Sequence, residues 1–202
     1  LLLVSSDHGP ERQGYQHVAQ HGHFAMGPWR GLKRDLWEGG HRVPFVIAWP
    51  DRVPGGVVTD RLVSQTDVFA TLADYFHFDC PDDAGEDSFS FLDELIESRT
   101  VEQQRTMAIH HSGVPHKLAL REGDWVLIDS PTGDTSGTQE PRWFREMRGV
   151  EEHEAPCELF DLSTDPQQTR NLYEQYPEFA AEMKRRLQAH IDAGRTAPAA
   201  ST

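Results

Sequence analysis

Cysteine and long apolar runs are scarce in this sequence. Only two cysteines, Cys80 and Cys157, occur among 202 residues, which is too few for the disulfide framework of a small secreted domain. The sequence does not say whether they pair. No stretch approaches the roughly 20 apolar residues that a membrane span requires.

Basic residues are also outnumbered, with 19 Lys and Arg against 33 Asp and Glu and a formal net charge of -14. Because such a chain repels polyanions, we expect neither nucleic acid nor an anionic membrane as a partner.

The remaining composition is that of an ordinary globular protein, with 37% hydrophobic residues and a mean hydropathy of -0.61. The length allows one large domain or two small ones. The first residues already lie in an apolar run, so we expect the chain to be part of a longer protein. The lack of a visible signal peptide therefore carries little weight.

The opening of the chain presents an acid and an imidazole just after a predicted strand. Residues 1–4 form a continuous apolar run, which predicts a strand covered on both faces. Asp7 and His8 follow it, and Gly9-Pro10 predicts a turn. Ligands of open α/β sheets bind at the carboxyl ends of strands. The pair can ligate a hard or a borderline metal ion, so it does not fix the metal. The alternative is a turn-forming Asp beside a solvated His.

Lys33 lies between Gly31 and a turn at 37–40 that contains two more glycines. Its ammonium is therefore carried on backbone that can bend sharply. A lone loop lysine is usually a solvated charge, but in so acidic a chain a bound oxyanion must be held by local positive charge. A metal at Asp7 and His8, together with Lys33, would supply that charge.

Three histidines occur in the polar segment 11–26. His17, His21 and His23 have a spacing that can form a metal site, but no helical apolar face accompanies them, so we expect a surface loop. If Lys33 contacts substrate, this loop frames the pocket, and His21 and His23 could meet the leaving group.

Strand and helix signals alternate in the next part of the chain. The run 44–50, bounded by prolines, predicts a second buried strand. Ser64 and Asp67 have the spacing of a capping box. We therefore expect a helix from this point, with Leu72 in the core.

Beyond residue 100, short strands follow one another and predict a small antiparallel sheet. They are expected at 107–111, 117–121, 125–128 and 158–162. The polar segment 130–156 is interpreted as a surface excursion. Pro177 predicts the start of a terminal helix with one apolar stripe.

In their order and spacing, these motifs resemble the formylglycine-dependent sulfatases of the arylsulfatase type. The first half carries Ser-Asp-His-Gly-Pro at 6–10, Gly-Pro-Trp-Arg-Gly-Leu-Lys at 27–33 and Trp-Glu-Gly-Gly-His-Arg-Val-Pro at 37–44. The second half is similar at 119–125, 158–162 and 165–172.

The resemblance implies an α/β protein with the alkaline-phosphatase-like (sulfatase) fold. Residues 1–100 would be the C-terminal part of the main sheet domain. Residues 101–194 would be a small antiparallel-sheet subdomain with a terminal helix, and residues 195–202 a disordered tail.

The implied activity is hydrolysis of a sulfate ester on a small molecule or a carbohydrate. By resemblance, Asp7 and His8 are two ligands of an active-site Ca2+, and Lys33 contacts the sulfate group. Family members commonly carry Asp-Asn where this chain has Asp7-His8. Since imidazole is a commoner ligand of zinc than of calcium, zinc is the alternative metal. The resemblance also implies a periplasmic or secreted location.

The family's nucleophile is a formylglycine made from Cys or Ser in the pattern Cys/Ser-x-Pro-x-Arg. Neither Cys80 nor Cys157 lies in such a pattern, so we expect the nucleophile and the other metal ligands before Leu1, and no sulfatase activity from this polypeptide alone. Two alternatives stay open: a zinc-dependent phosphoryl-transfer enzyme of the alkaline phosphatase superfamily, or a catalytically inactive sulfatase-fold binding protein.

Overall fold

The computed structural model describes residues 1–81, 83–97 and 105–198. The chain divides into two compact units. One comprises Leu1–Leu3, Val46–Ala108 and Arg186–Thr202, and the other comprises Val4–Phe45 and Ile109–Arg185. This division differs from the predicted boundary after residue 100, because the segment 4–45 packs with the chain beyond residue 109.

Helices and strands alternate in the first half of the chain, and strands dominate the second half. The strands are β1 (Leu2–Ser5), β2 (Phe45–Ala48), β3 (Met107–His111), β4 (Leu118–Glu122), β5 (Trp125–Ile128) and β6 (Glu158–Asp161). The helices are α1 (Gly14–His21), α2 (Asp67–Tyr75), α3 (Leu92–Glu97), α4 (Arg142–Arg148) and α5 (Pro177–Ala193), with a 3-10 turn at Glu38–Gly40. Over the ranges that the structure describes, no helix has the length and apolar character needed to cross a membrane. Cys80 and Cys157 are both free thiols.

Strands β1 and β2 pair in a two-stranded sheet. Both strands were predicted, but their burial was not as predicted: Leu2 is 60% exposed and Val46 is 56% exposed. The prediction of burial on both faces is therefore wrong for the described part of the chain, in which no other segment covers Leu2 and Val46.

Helix α2 is present as predicted, but it begins at Asp67, two residues later than a capping box with Ser64 as the N-cap predicts. The Ser64 N–H donates to Asp67 Oδ2 at 2.8 Å, which is one half of a capping box. The Asp67 carboxylate is buried and pairs with Arg105, with 2.6 Å between Oδ1 and Nη2. The buried face of the helix is therefore the one that carries Asp67, Thr71 and Ala73. Leu72, expected in the core, is only half-buried.

The predicted small sheet is present in the second unit, with the strand order β3-β4-β5-β6. The pairs β4–β5 and β5–β6 are antiparallel. Gly123, at φ +56°, forms the turn between β4 and β5. Seven buried residues form a hydrophobic cluster on this sheet, and two of them come from the first part of the chain. The cluster consists of Leu36, Trp37, Ala119, Val126, Ile128, Phe160 and Leu162. Residues 36 and 37 are therefore anchored in the core of the sheet.

A second core in this unit corrects two predictions. Segment 11–26 contains helix α1 rather than only a surface loop, and segment 130–156 contains α4 rather than a surface excursion. The core residues are Tyr15, Val18, Met26, Leu32 and Phe144. Tyr15 and Val18 alone supply the apolar face of α1, a pair too sparse to register as helical periodicity. Phe144 is 0% exposed because it packs against this face.

Helix α5 begins at Pro177 as predicted, and Met183 and Leu187 are buried in it. The tail was predicted to be disordered, and for residues 195–198 this is wrong. The backbone N–H groups of Thr196 and Ala197 both donate to Glu86 O, at 3.1 and 2.8 Å. Ala197 is 7% exposed. Residues 199–202 of the predicted tail lie outside the described residues.

Candidate active site

The candidate active site is built on segment 30–40, in which residues 33 and 34 reach solvent and the other residues are buried. Leu32 and Leu36, each 1% exposed, belong to two different hydrophobic clusters. Lys33 and Arg34 therefore lie at the tip of a turn that is anchored by buried leucines on both sides.

The buried side chain of Asp35 stabilises this turn through hydrogen bonds with backbone N–H groups. Its Oδ2 accepts the Leu32 N–H at 2.8 Å, and its Oδ1 accepts the N–H groups of Thr135 and Ser136 at 3.1 and 2.9 Å. Burial raises the pKa of Asp35 to about 6, although the backbone donors at Leu32 and Ser136 lower it. One carboxylate thus shapes the Lys33 turn and also fixes the loop around residue 135 beside it.

Arg30 anchors the start of the same segment. Its Nη2 lies 2.7 Å from Glu140 Oε2, and the two side chains are 6% and 2% exposed. Its Nη1 donates to Gln168 O at 2.8 Å, and its guanidinium lies 3.7 Å from the centre of the Trp37 ring. Because these partners hold the whole guanidinium, Arg30 is not available to a ligand.

Backbone contacts join the loop that carries Asp7 and His8 to the segment that carries Lys33. The Gly9 N–H donates to Gly40 O at 3.0 Å, and the Lys33 N–H donates to Pro10 O at 2.8 Å. A Cβ atom on Gly9 would lie 1.9 Å from Gly39 O, which is far inside van der Waals contact. Glycine at position 9 is therefore required for this close approach.

Asp7 and His8 lie at the end of β1, with side chains that are 82% and 29% exposed. His8 Nδ1 is 2.8 Å from Gly9 O. A carbonyl can only accept, so Nδ1 carries a proton. The other ring nitrogen, Nε2, is 3.0 Å from Asp7 Oδ2.

This geometry fits two neighbouring ligands of one metal ion. Neighbouring donors on one Ca2+, with bonds of about 2.4 Å at angles of about 75° to 90°, lie about 2.9 to 3.4 Å apart, a range that includes the observed 3.0 Å. Donors on a tetrahedral zinc ion lie about 3.4 Å apart. A proton on Nδ1 that is held by a carbonyl also orients a ligating imidazole. Two donors are not a whole site, and the described residues contain no group of three or more His, Cys, Asp or Glu that could hold a metal.

The ammonium of Lys33 is paired with a carboxylate that was not singled out from the sequence. Lys33 Nζ lies 2.5 Å from Glu11 Oε1, and the two side chains are 24% and 55% exposed. The hydrogen bond from Lys33 lowers the pKa of Glu11, and the charge of His8 adds a smaller lowering. An anion that binds Lys33 must therefore compete with Glu11.

A cavity of about 480 Å3 adjoins Lys33, lined by residues 11–13, 32–34 and 136–138. Asp7 and His8 do not line it. His21 and His23 do not line it either, although both were expected at the substrate. They are exposed at the end of α1, with ring centres 6.4 and 6.5 Å from that of His17. The structure thus joins the loop of Asp7 and His8 to Lys33 through the backbone and leaves the two histidines outside this cavity.

Sequence reasoning missed most of the polar residues around the cavity. Glu11 directly follows Pro10. An acidic residue so close to a predicted oxyanion site could have been predicted from the sequence as a partner of Lys33. Residues 136–138 line the cavity because Asp35 binds the backbone N–H groups of Thr135 and Ser136. No local sequence pattern predicts that contact.

Residues 1–78 match the sulfatase family. Over 193 residues the chain is 32% identical to an N-acetylgalactosamine-6-O-sulfatase of Bacteroides thetaiotaomicron, covering 94% of this chain and 36% of that protein. It is 29% identical to human arylsulfatase D over 191 residues, covering 85% of this chain and 30% of the relative.

A solved structure gives the same result for the fold. A chain from work on glycosaminoglycan metabolism by Bacteroides thetaiotaomicron superposes with a TM-score of 0.70 at 27% identity, over 93% of this chain and 38% of the other. The chain therefore spans about a third of the length of the relatives that it matches. By its motifs, its sequence relatives and its fold, the chain belongs to the sulfatase family.

Proposed function

We propose that the full-length protein is a sulfuric ester hydrolase of the arylsulfatase type. In this proposal, residues 1–202 are a C-terminal portion, with part of the main sheet of an alkaline-phosphatase-like fold and a small antiparallel subdomain. The observation that carries the proposal is the pair of backbone hydrogen bonds that join the loop of Asp7 and His8 to the segment of Lys33.

Lys33 is proposed to bind the sulfate group. An ammonium is a compact charge with three donors, which suits a tetrahedral oxyanion. On binding, Lys33 exchanges its hydrogen bond with Glu11 for one with a sulfuryl oxygen. It then stabilises the negative charge that grows on the sulfuryl oxygens as the ester S–O bond breaks.

Asp7 and His8 are proposed to supply two ligands of the active-site metal. When bound, this cation supplies positive charge that stabilises the sulfuryl oxygens. Calcium is the family's metal by resemblance, and zinc is the alternative because His8 contributes an imidazole. The formylglycine nucleophile would lie outside these 202 residues.

The substrate is proposed to be a sulfated carbohydrate. One relative is named for an N-acetylgalactosamine 6-O-sulfate, and a similar structure comes from work on glycosaminoglycan metabolism. His21 and His23 stay candidates for contact with the leaving group. Unchanged kinetics after alanine substitution of both histidines in the full-length protein would remove them.

The test is hydrolysis by the full-length protein of three esters: 4-nitrophenyl sulfate, N-acetylgalactosamine 6-sulfate and 4-nitrophenyl phosphate. We expect turnover of at least one sulfate ester, none from residues 1–202 alone, and calcium in the purified protein by elemental analysis. Failure on both sulfate esters would contradict the proposal.

A zinc-dependent phosphoryl-transfer enzyme is the second candidate. The observation that favours it is the imidazole of His8, whose Nδ1 proton is held by Gly9 O and whose Nε2 faces Asp7. Zinc in the purified protein together with faster hydrolysis of the phosphate ester would select this candidate. Tight binding of the sulfated sugar without turnover of any ester would instead indicate a catalytically inactive binding protein.

A further inference from the structure

Arg12 and Arg34 are two of the residues that line the cavity beside Lys33. Both residues are exposed. Lys33 has a carboxylate partner in Glu11, but within the described residues neither Arg12 nor Arg34 forms an ion pair. These two charges are therefore not neutralised by the protein around the cavity.

The rest of the chain makes this concentration of positive charge notable. With a formal net charge of -14, the protein as a whole repels anions, and nine arginines of the described residues form ion pairs with carboxylates. Cations that share one concave surface also repel each other, so their clustering costs free energy unless an anion binds between them. A concave wall concentrates the field of such charges and favours capture of an anionic ligand.

The backbone of Arg34 supports a functional orientation. Its φ is +75°, a left-handed conformation that a residue with a Cβ adopts only when its surroundings impose it. The Thr135 hydroxyl donates to Arg34 O at 2.5 Å, and the neighbouring Asp35 holds the backbone of residues 135 and 136. The turn is thus fixed by buried contacts, while Arg34 itself is exposed and is one of the residues that line the cavity.

We propose that Arg12 and Arg34 form a second anion subsite, which binds a carboxylate or a further sulfate group on the same substrate molecule whose scissile sulfate binds Lys33. This inference rests on the proposed function and narrows its substrate class to carbohydrates with at least two anionic groups. The planar guanidinium presents paired N–H donors that match the two oxygens of a carboxylate or of a sulfate face. A substrate with only one sulfate leaves this subsite empty.

The test compares three substrates in the full-length protein. The first is N-acetylgalactosamine 6-sulfate, the second is the same sugar with an additional sulfate, and the third is the same sugar linked to a uronic acid. Each is measured with the unsubstituted protein, with Arg12→Gln, with Arg34→Gln, and with Arg185→Gln as a control. Arg185 is an exposed arginine on α5 that does not line the cavity.

We expect each cavity substitution to lower kcat/KM about tenfold for at least one of the two doubly charged substrates, as one charge-assisted hydrogen bond is lost. The singly charged sugar and the control should change less than about twofold. The substrate with the larger loss identifies the anionic group. Equal losses on all three substrates, or no loss on any, would overturn the subsite.

If the protein hydrolyses no sulfate ester, the proposed function fails, yet the subsite can still be judged. Calorimetric titration with the disulfated sugar and with the uronic acid disaccharide then replaces kinetics. Weaker binding of either one by both cavity variants and not by Arg185→Gln supports the subsite, and equal binding by all variants rejects it.

Discussion

Arg30 Nη2 and Glu140 Oε2 lie 2.7 Å apart in the protein interior, although 110 residues separate them in the chain. The pair joins the segment that leads into Lys33 to the one that follows the cavity residues 136–138. The position of the predicted sulfate-binding lysine relative to that loop therefore depends on a buried salt bridge.

Removal of one partner of this salt bridge should be strongly destabilising. In Glu140→Gln the Arg30 charge stays buried without its carboxylate, and such a change typically costs about 3–5 kcal/mol. The free energy of unfolding from urea titration measures the loss. The exposed pair Arg142–Glu146 is the control, since Glu146→Gln should cost less than about 1 kcal/mol. Similar losses in both variants would contradict the role of burial.

Neighbouring residues of α4 offer a matched test of the second core. Phe144 is 0% exposed and Trp143 is 40% exposed. Phe144→Ala should lower the free energy of unfolding by about 3–5 kcal/mol because it leaves a cavity against Tyr15. Trp143→Ala should cost clearly less, and an equal loss would show that α4 is not anchored through Phe144.

Replacement of Lys33 should affect chemistry more than stability. Lys33→Ala in the full-length protein is expected to lower kcat/KM for a sulfate ester by on the order of a hundredfold, by analogy with the loss of one oxyanion donor. The melting temperature should change little, because the side chain is partly exposed and Glu11, with which it forms an ion pair, is at the surface. A variant of normal activity would exclude Lys33 from the site.

Glu11 competes with anions for the Lys33 ammonium, so its neutralisation should tighten anion binding. For Glu11→Gln we expect the inhibition constant of inorganic sulfate to fall by about 1.5- to 5-fold, which corresponds to the usual strength of an exposed ion pair. Glu152→Gln is the control, because Glu152 forms an exposed ion pair with Arg145. Weaker sulfate inhibition of Glu11→Gln would indicate that Glu11 positions Lys33 rather than competing for it.

Asp35 predicts a pH dependence of stability. Burial raises its pKa from 3.8 to about 6, so between these values the folded protein holds a proton that the unfolded chain has released. Its contribution to stability is therefore greatest below about pH 4 and is lost as the pH rises to about 6. The loss amounts to roughly 3 kcal/mol, since one pKa unit is about 1.36 kcal/mol.

Asp35→Asn isolates this contribution, because the other acids titrate alike in both proteins. The free energy of unfolding of both proteins is measured by urea titration from pH 4 to pH 7. As the pH rises, the unsubstituted protein should become less stable relative to Asp35→Asn. A difference that does not change with pH would show that the backbone donors outweigh burial at this carboxylate.

The sequence predicted those parts of the fold that depend on local patterns. The turn at Gly123 and the strands on either side of it follow from two short, mainly apolar runs and the polar break between them. The presence of α2, and its start to within two residues, follows from a capping pattern of four residues. Both rest on contacts between near neighbours in the chain.

Contacts between distant polar residues were not predictable in this way. Glu140 and Asp35 lie in polar stretches that look solvated, and they are buried only because Arg30 and the backbone around Thr135 satisfy them. The same limit applied to the site. Asp7, His8 and Lys33 were predicted from motifs, whereas Arg12, Arg34 and residues 136–138 come together only in the folded chain.

The loop around residue 135 is attached to Asp35 through backbone N–H groups, which every residue except proline possesses. Exchange of the side chains at positions 136 and 138 therefore leaves this attachment in place. The side chains that line the cavity can therefore vary between related proteins while the backbone contacts that hold the Lys33 turn stay the same.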